Sequence, residues 1–249
     1  MLHKALSFGM SGERGVFMVS RSAPIGFVIF DCDGVLVDSE MLSAGVLMGM
    51  MAEIGLPISD EIFRTDFLGR SFASAAARAE LRFGRPMPDD FQLRYRDRLL
   101  NRMREDLLAM PDVMVVLDNM TAPYWLATSS SPQRLDVSLH VTGLAPFFAG
   151  RCSTASEVAR GKPWPDLFLY AAEKMGADPD QCLVVEDSEM GVRAAAAAGM
   201  AVWHFAGGAH VRNGYRLPSD VVPDRTISGM AELHSAFAEL GLCRKPGRG

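Results

Sequence analysis

Cysteine is scarce in this chain of 249 residues: only Cys32, Cys152, Cys182 and Cys243 occur, far apart from one another. The spacing excludes a C-x-x-C redox pair and the common zinc patterns. So few cysteines in a long chain point to free thiols in a reducing compartment. Long apolar runs are missing too. No stretch reaches the ~18–20 residues that a membrane-spanning helix needs. Positive charge is in deficit, with 25 Lys and Arg against 30 Asp and Glu, a net charge of −5. That balance excludes the broad basic field with which proteins hold nucleic acid or anionic membranes. The five histidines show no metal-ligand spacing. Near the start, Glu13 and Arg14 interrupt what would have to be an unbroken apolar stretch in a signal peptide. Residues 1–23 read either as a loose extension or as an upstream start before Met18, and the tail from Cys243 reads as frayed. These features together place the protein in the cytoplasm. The global negative field also repels phosphorylated substrates, so a phosphate site would need local positive charge from a metal, a lysine or backbone N–H groups.

What the sequence does contain is a series of short apolar runs: Phe27–Phe30, Tyr124–Thr128, Leu183–Val185 and Ala201–Phe205. Each is rich in β-branched or aromatic residues and apolar on both faces, as strands are when helices cover both sides of a sheet. Helical segments separate them. Pro165 is placed to open one and Gly176 to close it, and another runs through Gly191–Ala198 to Gly199. Alternating strands and helices predict an α/β fold, a Rossmann-like doubly wound parallel sheet. The interval between the first two strands is too long for one crossover. Apolar residues recur at helical spacing from Met41 to Ile54, and Ala75–Leu81 and Phe91–Leu108 read as further helices. The expected organisation is a core of residues 24–39 and 110–242, with an all-helical cap at 40–109. Met41, Met48, Met50 and Met51 are expected to pack that cap.

The first strand runs into Asp31-Cys32-Asp33-Gly34. Ligands of open α/β sheets bind outside the carboxyl ends of the strands. The second strand runs into Ser129-Ser130-Ser131 and the third into Glu186-Asp187-Ser188. Hydroxyls and carboxylates therefore collect at one edge. Four acidic residues there would repel one another without a cation, and hard oxygen ligands suit magnesium. Lys162 lies on a proline-stiffened turn, Gly161-Lys162-Pro163-Trp164-Pro165, that could bring an ammonium group to them.

Other readings of the same residues are weaker. A calcium loop would need an oxygen ligand at its fifth position and a glutamate at its twelfth, where Val35 and Leu42 stand. Cys32 lacks the nearby arginine of a cysteine phosphatase and is expected to point away. Ser129 taken alone could be an ordinary helix cap. The arginines between Arg94 and Arg104 alternate with Asp97, Glu105 and Asp106, the pattern of a solvated helix face.

The stretch Asp31-Cys32-Asp33-Gly34-Val35-Leu36-Val37-Asp38-Ser39-Glu40 resembles the first motif of the haloacid dehalogenase-like superfamily. Ser129 matches its second motif, Lys162 its third and Glu186-Asp187 its fourth, all in order. The resemblance covers about Ile25 to Phe205, with a helical cap in the position of the family's first cap class. It implies that Asp31 is the nucleophile, Asp33 the general acid and base, Ser129 a phosphoryl ligand and Lys162 a neutralising cation. It implies Mg²⁺ bound by Asp31, the Asp33 carbonyl, Asp187 and Glu186. In this family the loop between cap helices, here Phe67-Leu68-Gly69-Arg70-Ser71, reads the substrate; Arg70 and Ser130 are expected to contact it. Gly207–His210 is expected at the rim of the site.

A dehalogenase would lack the second aspartate. A β-phosphoglucomutase would keep both, but has a histidine where Ser43 sits and an arginine where Phe72 sits. The segments Thr121–Pro123 and Trp203–Phe205 look most like the 6-phosphogluconate and sugar-phosphate phosphatases. The expectation is a monomeric magnesium-dependent phosphatase of small phosphorylated metabolites, without nucleic-acid or membrane partners. Two alternatives stay beside it: a phosphosugar mutase and a non-catalytic phospholigand-binding protein.

Overall fold

In the computed structural model, which describes residues 23–67 and 72–245, the four apolar runs are strands. In chain order the elements begin with β1 (Phe27–Phe30), α1 (Glu40–Glu53), α2 (Asp60–Asp66), α3 (Phe72–Phe83) and α4 (Phe91–Asp106). Then come α5 (Val113–Asn119), β2 (Tyr124–Thr128), α6 (Pro132–Val141), α7 (Ala145–Phe148) and β3 (Cys152–Thr154). Next are α8 (Asp166–Met175), β4 (Cys182–Glu186), α9 (Glu189–Ala197) and β5 (Ala201–Phe205). The last are α10 (Ala209–Arg212), β6 (Arg225–Ile227) and α11 (Met230–Glu239). The strands form one parallel sheet in the order β3-β2-β1-β4-β5-β6. The order reverses at β1, so the crevice for a ligand opens at the carboxyl ends of β1, β2 and β4.

Strand residues alternate between two buried layers. Val28, Phe30, Leu126, Val185 and Trp203 pack on one side with α5 and α11. Ile29, Ala127, Val184 and Val202 pack on the other with α8 and α9. Burial on both faces explains why these runs lack polar alternation. β3 and β6 lie at the sheet edges with three residues each, CST and RTI, and carry no apolar run to reveal them. Gly176 closes α8 in the left-handed conformation, φ 65°, as its position implies.

Helices α1–α4 occupy the whole interval between β1 and α5. A third apolar cluster, including Leu47, Met50, Met51, Phe63, Phe67 and Phe91, holds them together. Leu99, Leu100 and Met103 in the second half of α4 instead join the larger cluster under the sheet. Met50 and Met51 are buried and Met48 packs against the cluster, but Met41 is 40% exposed. Met41 starts α1 beside the main fold, and its sulfur meets Asn213 Nδ2 rather than the helical cluster. The seven-residue α2 is capped by the preceding Ser59, whose hydroxyl accepts the Ile62 N–H; it is too short to show a period. α4 stops at Asp106, two residues before the expected end, because Leu107 takes an extended backbone.

The face of α4 is solvated where expected: Arg94 and Arg98 pair with Glu53, and Arg102 with Asp106. Arg96 departs from this, because it lines the main cavity together with Gln92, Leu99 and Leu100. Spacings of three and four residues put these side chains on one stripe. Among the described residues, no helix is long and apolar enough to cross a membrane.

Candidate active site

Asp31 follows directly after β1 and is buried, its N–H donating to the Val185 carbonyl at 3.0 Å. The chain then turns sharply. Gly34 has φ +80° and its N–H donates to the Val37 carbonyl at 2.8 Å. A Cβ on Gly34 would sit 1.8 Å from Asp187 Oδ2, so any side chain there would displace the Asp187 carboxylate. The glycine of the D-x-D-G motif thus lets the ends of β1 and β4 approach. Cys32 between the two aspartates points into the core, 1% exposed, with burial pushing its thiol pKa well up. It is no nucleophile.

Asp31, Glu186 and Asp187 are all buried and offer ligand oxygens within 4.8 Å of one another. Lys162 Nζ is 2.5 Å from Asp31 Oδ1 and 3.5 Å from Glu186 Oε1, with its side chain only 4% exposed. The ring of buried Phe168 lies 4.8 Å from the same ammonium. Burial alone would lower the Lys162 pKa, but Asp31 and Glu186 outweigh it and hold the ammonium firmly charged. Burial raises the Asp31 pKa to about 8, and the Glu186 charge adds to this while Lys162 opposes it. Burial likewise raises Glu186 and Asp187 above the ordinary carboxylate range. In their ionised forms the three carboxylates would outnumber the cations that face them, Lys162 and at most His210. The donors are hard oxygens clustered at one point, so the residues fit a divalent cation such as magnesium.

Glu186 ends β4 against the start of α9. Its Oε1 accepts from Ser188 Oγ at 2.5 Å, and its Oε2 accepts from the Asp187 N–H at 3.3 Å. Ser188 also caps α9 by accepting the Gly191 N–H at 3.1 Å. A Cβ on Gly191 would overlap Glu186 Oε1 at 1.7 Å, so this glycine gives the carboxylate its place. The pair therefore stands both at a helix start, where carboxylates suit the dipole, and in the acidic cluster.

Asp33 is treated differently from Asp31. Its Oδ1 accepts from Ser39 Oγ at 2.5 Å and from Arg134 Nη2 at 2.7 Å, and its Oδ2 accepts from Ser130 Oγ at 2.6 Å. Burial works to raise its pKa, but Arg134 and the hydroxyls outweigh it and hold the carboxyl below its ordinary value. Arg134 Nη2 also reaches Ser39 Oγ at 3.3 Å and Ser43 Oγ at 3.2 Å. One guanidinium from α6 thus ties the second aspartate to the chain entering α1.

A cavity of about 630 Å³ lies over these groups, between the helical insert and the sheet edge. Asp31, Asp33, Lys162, Glu186 and Asp187 form its floor with Thr128, Ser129 and Ser130. Leu47, Phe63, Phe67, Tyr95 and Arg96 are among its walls from the insert. The structure therefore brings Asp31, Asp33, Ser129, Ser130, Lys162, Glu186 and Asp187 together. Ser129 is exposed to the cavity, whereas the Thr128 hydroxyl, also at the floor, accepts the Ser130 N–H at 3.0 Å. The Ser130 hydroxyl, expected on substrate, is committed to Asp33 in this arrangement. Arg70 lies outside the described residues. Gly207–His210 is more than rim: His210 is buried and its Nε2 is 3.0 Å from Asp187 Oδ2. Sequence reasoning missed Arg134, Ser39 and the His210 pairing. A serine cap followed by proline locates the first turn of α6 in the sequence, but nothing there says that Arg134 turns toward Asp33.

The family comparison then decides the identity. The profile for haloacid dehalogenase-like hydrolases matches residues 25–199. The chain belongs to this family. Its similarity to the 6-phosphogluconate phosphatase of Escherichia coli (strain K12) is 26% identity over 184 residues, 74% of this chain and 83% of the relative. A haloacid dehalogenase-like protein of unknown function from Agrobacterium tumefaciens str. C58 is 34% identical, with a TM-score of 0.76 over 87% of this chain and 99% of that one. A family hydrolase from Deinococcus radiodurans R1, solved with bound phosphate and sodium, is 31% identical, with a TM-score of 0.73 over 90% and 100% of the two chains. The family match runs through the helical insert after β1, from residue 25 to residue 199; the chain is a hydrolase of this family, and named phosphatases stand among its relatives.

The raised Asp31 pKa has a consequence for stability. An acid whose folded-state pKa lies above its unfolded value of about 3.9 holds its proton more tightly when folded. Stability is then lost as pH rises from the unfolded value towards about 8. In chelator near about pH 8, Asp31→Asn is expected to melt above the wild type, at about 2–4 °C per kcal/mol for a chain of this size. The gap should close towards about pH 4. Equal melting temperatures across the range, measured by calorimetry, would show that Asp31 is not held in a destabilising site.

Proposed function

We propose that the chain is a magnesium-dependent phosphatase acting on small phosphorylated metabolites, with sugar, sugar-acid and alditol phosphates first. The observation that carries this reading is the buried Asp31 carboxylate, 2.5 Å from Lys162 Nζ, in the acidic cluster beneath the cavity. In this reading residues 40–109 act as a cap over a core of 24–39 and 110–242. The second aspartate argues for an alcohol leaving group that must receive a proton. The similarity to 6-phosphogluconate phosphatase supports the sugar-acid class, and the cavity's Arg96 could face such a substrate's carboxylate.

The steps follow from the residues. An oxygen of Asp31 attacks phosphorus as the bond to the leaving oxygen breaks, and protonated Asp33 donates its proton to that oxygen. Asp33, now a carboxylate, takes a proton from water as the water oxygen attacks the aspartyl-phosphate. The phosphorus–Asp31 bond breaks, which frees phosphate and restores both carboxyl groups. Lys162 counters the charge on Asp31 and the phosphoryl oxygens, and Ser129 donates to those oxygens from the cavity floor. Mg²⁺, held by Asp31, Glu186, Asp187 and the Asp33 carbonyl, would supply the remaining neutralisation of phosphoryl charge. The Arg134 clamp favours the base form of Asp33. Protonation requires that clamp to loosen, and cap movement at linkers near Ser39–Glu40 and Ala109–Pro111 would do this through Ser39 and Ser43.

Ser43 argues against the mutase. Its hydroxyl donates to the Ser39 carbonyl at 3.0 Å and lies 3.2 Å from Arg134 Nη2, a positioning role at a place where the mutase resemblance calls for a histidine. We place the protein in the cytoplasm, in keeping with its four free cysteines, and take it to act as a monomer. The test is phosphate release from a panel of sugar, sugar-acid and alditol phosphates, with Mg²⁺ and with chelator. Release from at least one of them that chelation abolishes is expected. Isomerised sugar phosphate without release would favour the mutase. Turnover indifferent to chelation would end the magnesium reading.

A further inference from the structure

His210 has no place in the chemistry above, yet it is built into the site with more care than a rim residue needs. It is 4% exposed, and its Nε2 lies 3.0 Å from Asp187 Oδ2. Two glycines make the space for its ring. A Cβ on Gly208 would lie 2.7 Å from His210 Cε1 and Nδ1, and a Cβ on Gly34 would lie 3.1 Å from Cε1. The loop that carries it is itself fixed to the first motif, because the Ala209 N–H donates to Asp38 Oδ1 at 3.1 Å. The ring of Tyr215 packs beside the imidazole at 5.5 Å.

The contact with a carboxylate oxygen sets the hydrogen position. Nε2 must carry a proton, since a bare ring nitrogen would face a carboxylate lone pair. Nδ1 is buried and has no hydrogen-bond partner among the described residues. Among the described residues the single polar contact of this ring is therefore the one to Asp187, and it restrains the rotation of that carboxylate. A candidate ligand carboxylate hydrogen-bonded by a ring N–H is the arrangement by which outer groups orient metal ligands and tune affinity.

We infer that His210 is a positioning residue of the cation site, orienting Asp187 through its Nε2–H. The inference rests on the reading of Asp31, Glu186 and Asp187 as a magnesium site. It predicts that affinity depends on a donor at the Nε2 position, and not on the bulk of the side chain. Glutamine places its amide nitrogen near that position; asparagine is too short to reach it.

The experiment is calorimetric titration of Mg²⁺ into the full chain as wild type, His210→Asn and His210→Gln, with melting in chelator as the check on folding. His210→Asn should weaken Mg²⁺ binding about 10–100-fold, while His210→Gln stays within about threefold of the wild type. Variants that fold and bind as tightly as the wild type would overturn the inference. An equal loss in both would also overturn it, because bulk and not the donor would then matter. A wild type that binds no Mg²⁺ would remove the magnesium reading itself, and the inference with it.

Discussion

Asp31→Asn is expected to cut phosphate release by on the order of 10⁴–10⁶-fold, the scale of loss when a covalent nucleophile is removed. The amide has nearly the shape of the carboxylate but cannot attack phosphorus. At about 1.4 kcal/mol for each factor of ten, the loss corresponds to roughly 5–8 kcal/mol of barrier. The neighbouring carboxylates at the cavity floor are held by other partners. Asp33 is engaged by Arg134, Ser39 and Ser130, and Glu186 is engaged by Ser188 and Lys162. The variant should still fold, and without metal near about pH 8 it should be the more stable protein, as argued above from the raised Asp31 pKa. Lost activity with retained stability separates a catalytic role from a structural one. Steady-state phosphate release on the best substrate, beside a melting curve, measures both. Residual activity within tenfold of the wild type would move the attack to water.

The second large effect is at Asp33. Asp33→Asn is expected to lower turnover of an alkyl phosphate by about 10²–10⁴-fold, the usual range for a lost general acid or base. The size should depend on the leaving group. An alkoxide needs the proton as it departs, whereas a nitrophenolate leaves without it, so the first step on a nitrophenyl phosphate should be far less affected. The second step still needs a base, so phosphorylated enzyme should accumulate with that substrate. An equal loss on both substrates, with no accumulation, would mean that Asp33 only holds structure. The clamp on Asp33 makes that alternative worth testing, because three groups bond to its carboxylate.

The fold and the candidate site were legible in the sequence to an uneven degree. β1, β2, β4 and β5 announced themselves because both faces are largely buried and the runs are mostly apolar. β3 and β6 did not, since a three-residue edge strand needs no apolar run. Asp31, Asp33 and Glu186-Asp187 were legible because each stands at or beside a strand end, and Lys162 because prolines confine its turn. Arg134, Ser39 and His210 were not. Arg134 is 101 residues from Asp33 and meets it only because α6 packs beside the entry to α1. His210 reaches Asp187 only through the space left by Gly34 and Gly208, and a glycine pair before a histidine does not say what the ring will touch. Local pattern thus revealed the groups that strand geometry fixes, and hid those fixed by packing between distant segments.

The most direct test is whether Asp31 carries the phosphoryl group. Asp33→Asn protein would be mixed with a nitrophenyl phosphate and Mg²⁺, quenched in acid and mapped by peptide mass spectrometry. The account predicts a mass increase of one phosphoryl group on the peptide that contains Asp31, absent when Asp31→Asn is added to the same chain. Turnover without any phosphorylated peptide, or a phosphoryl group on another residue, would contradict it.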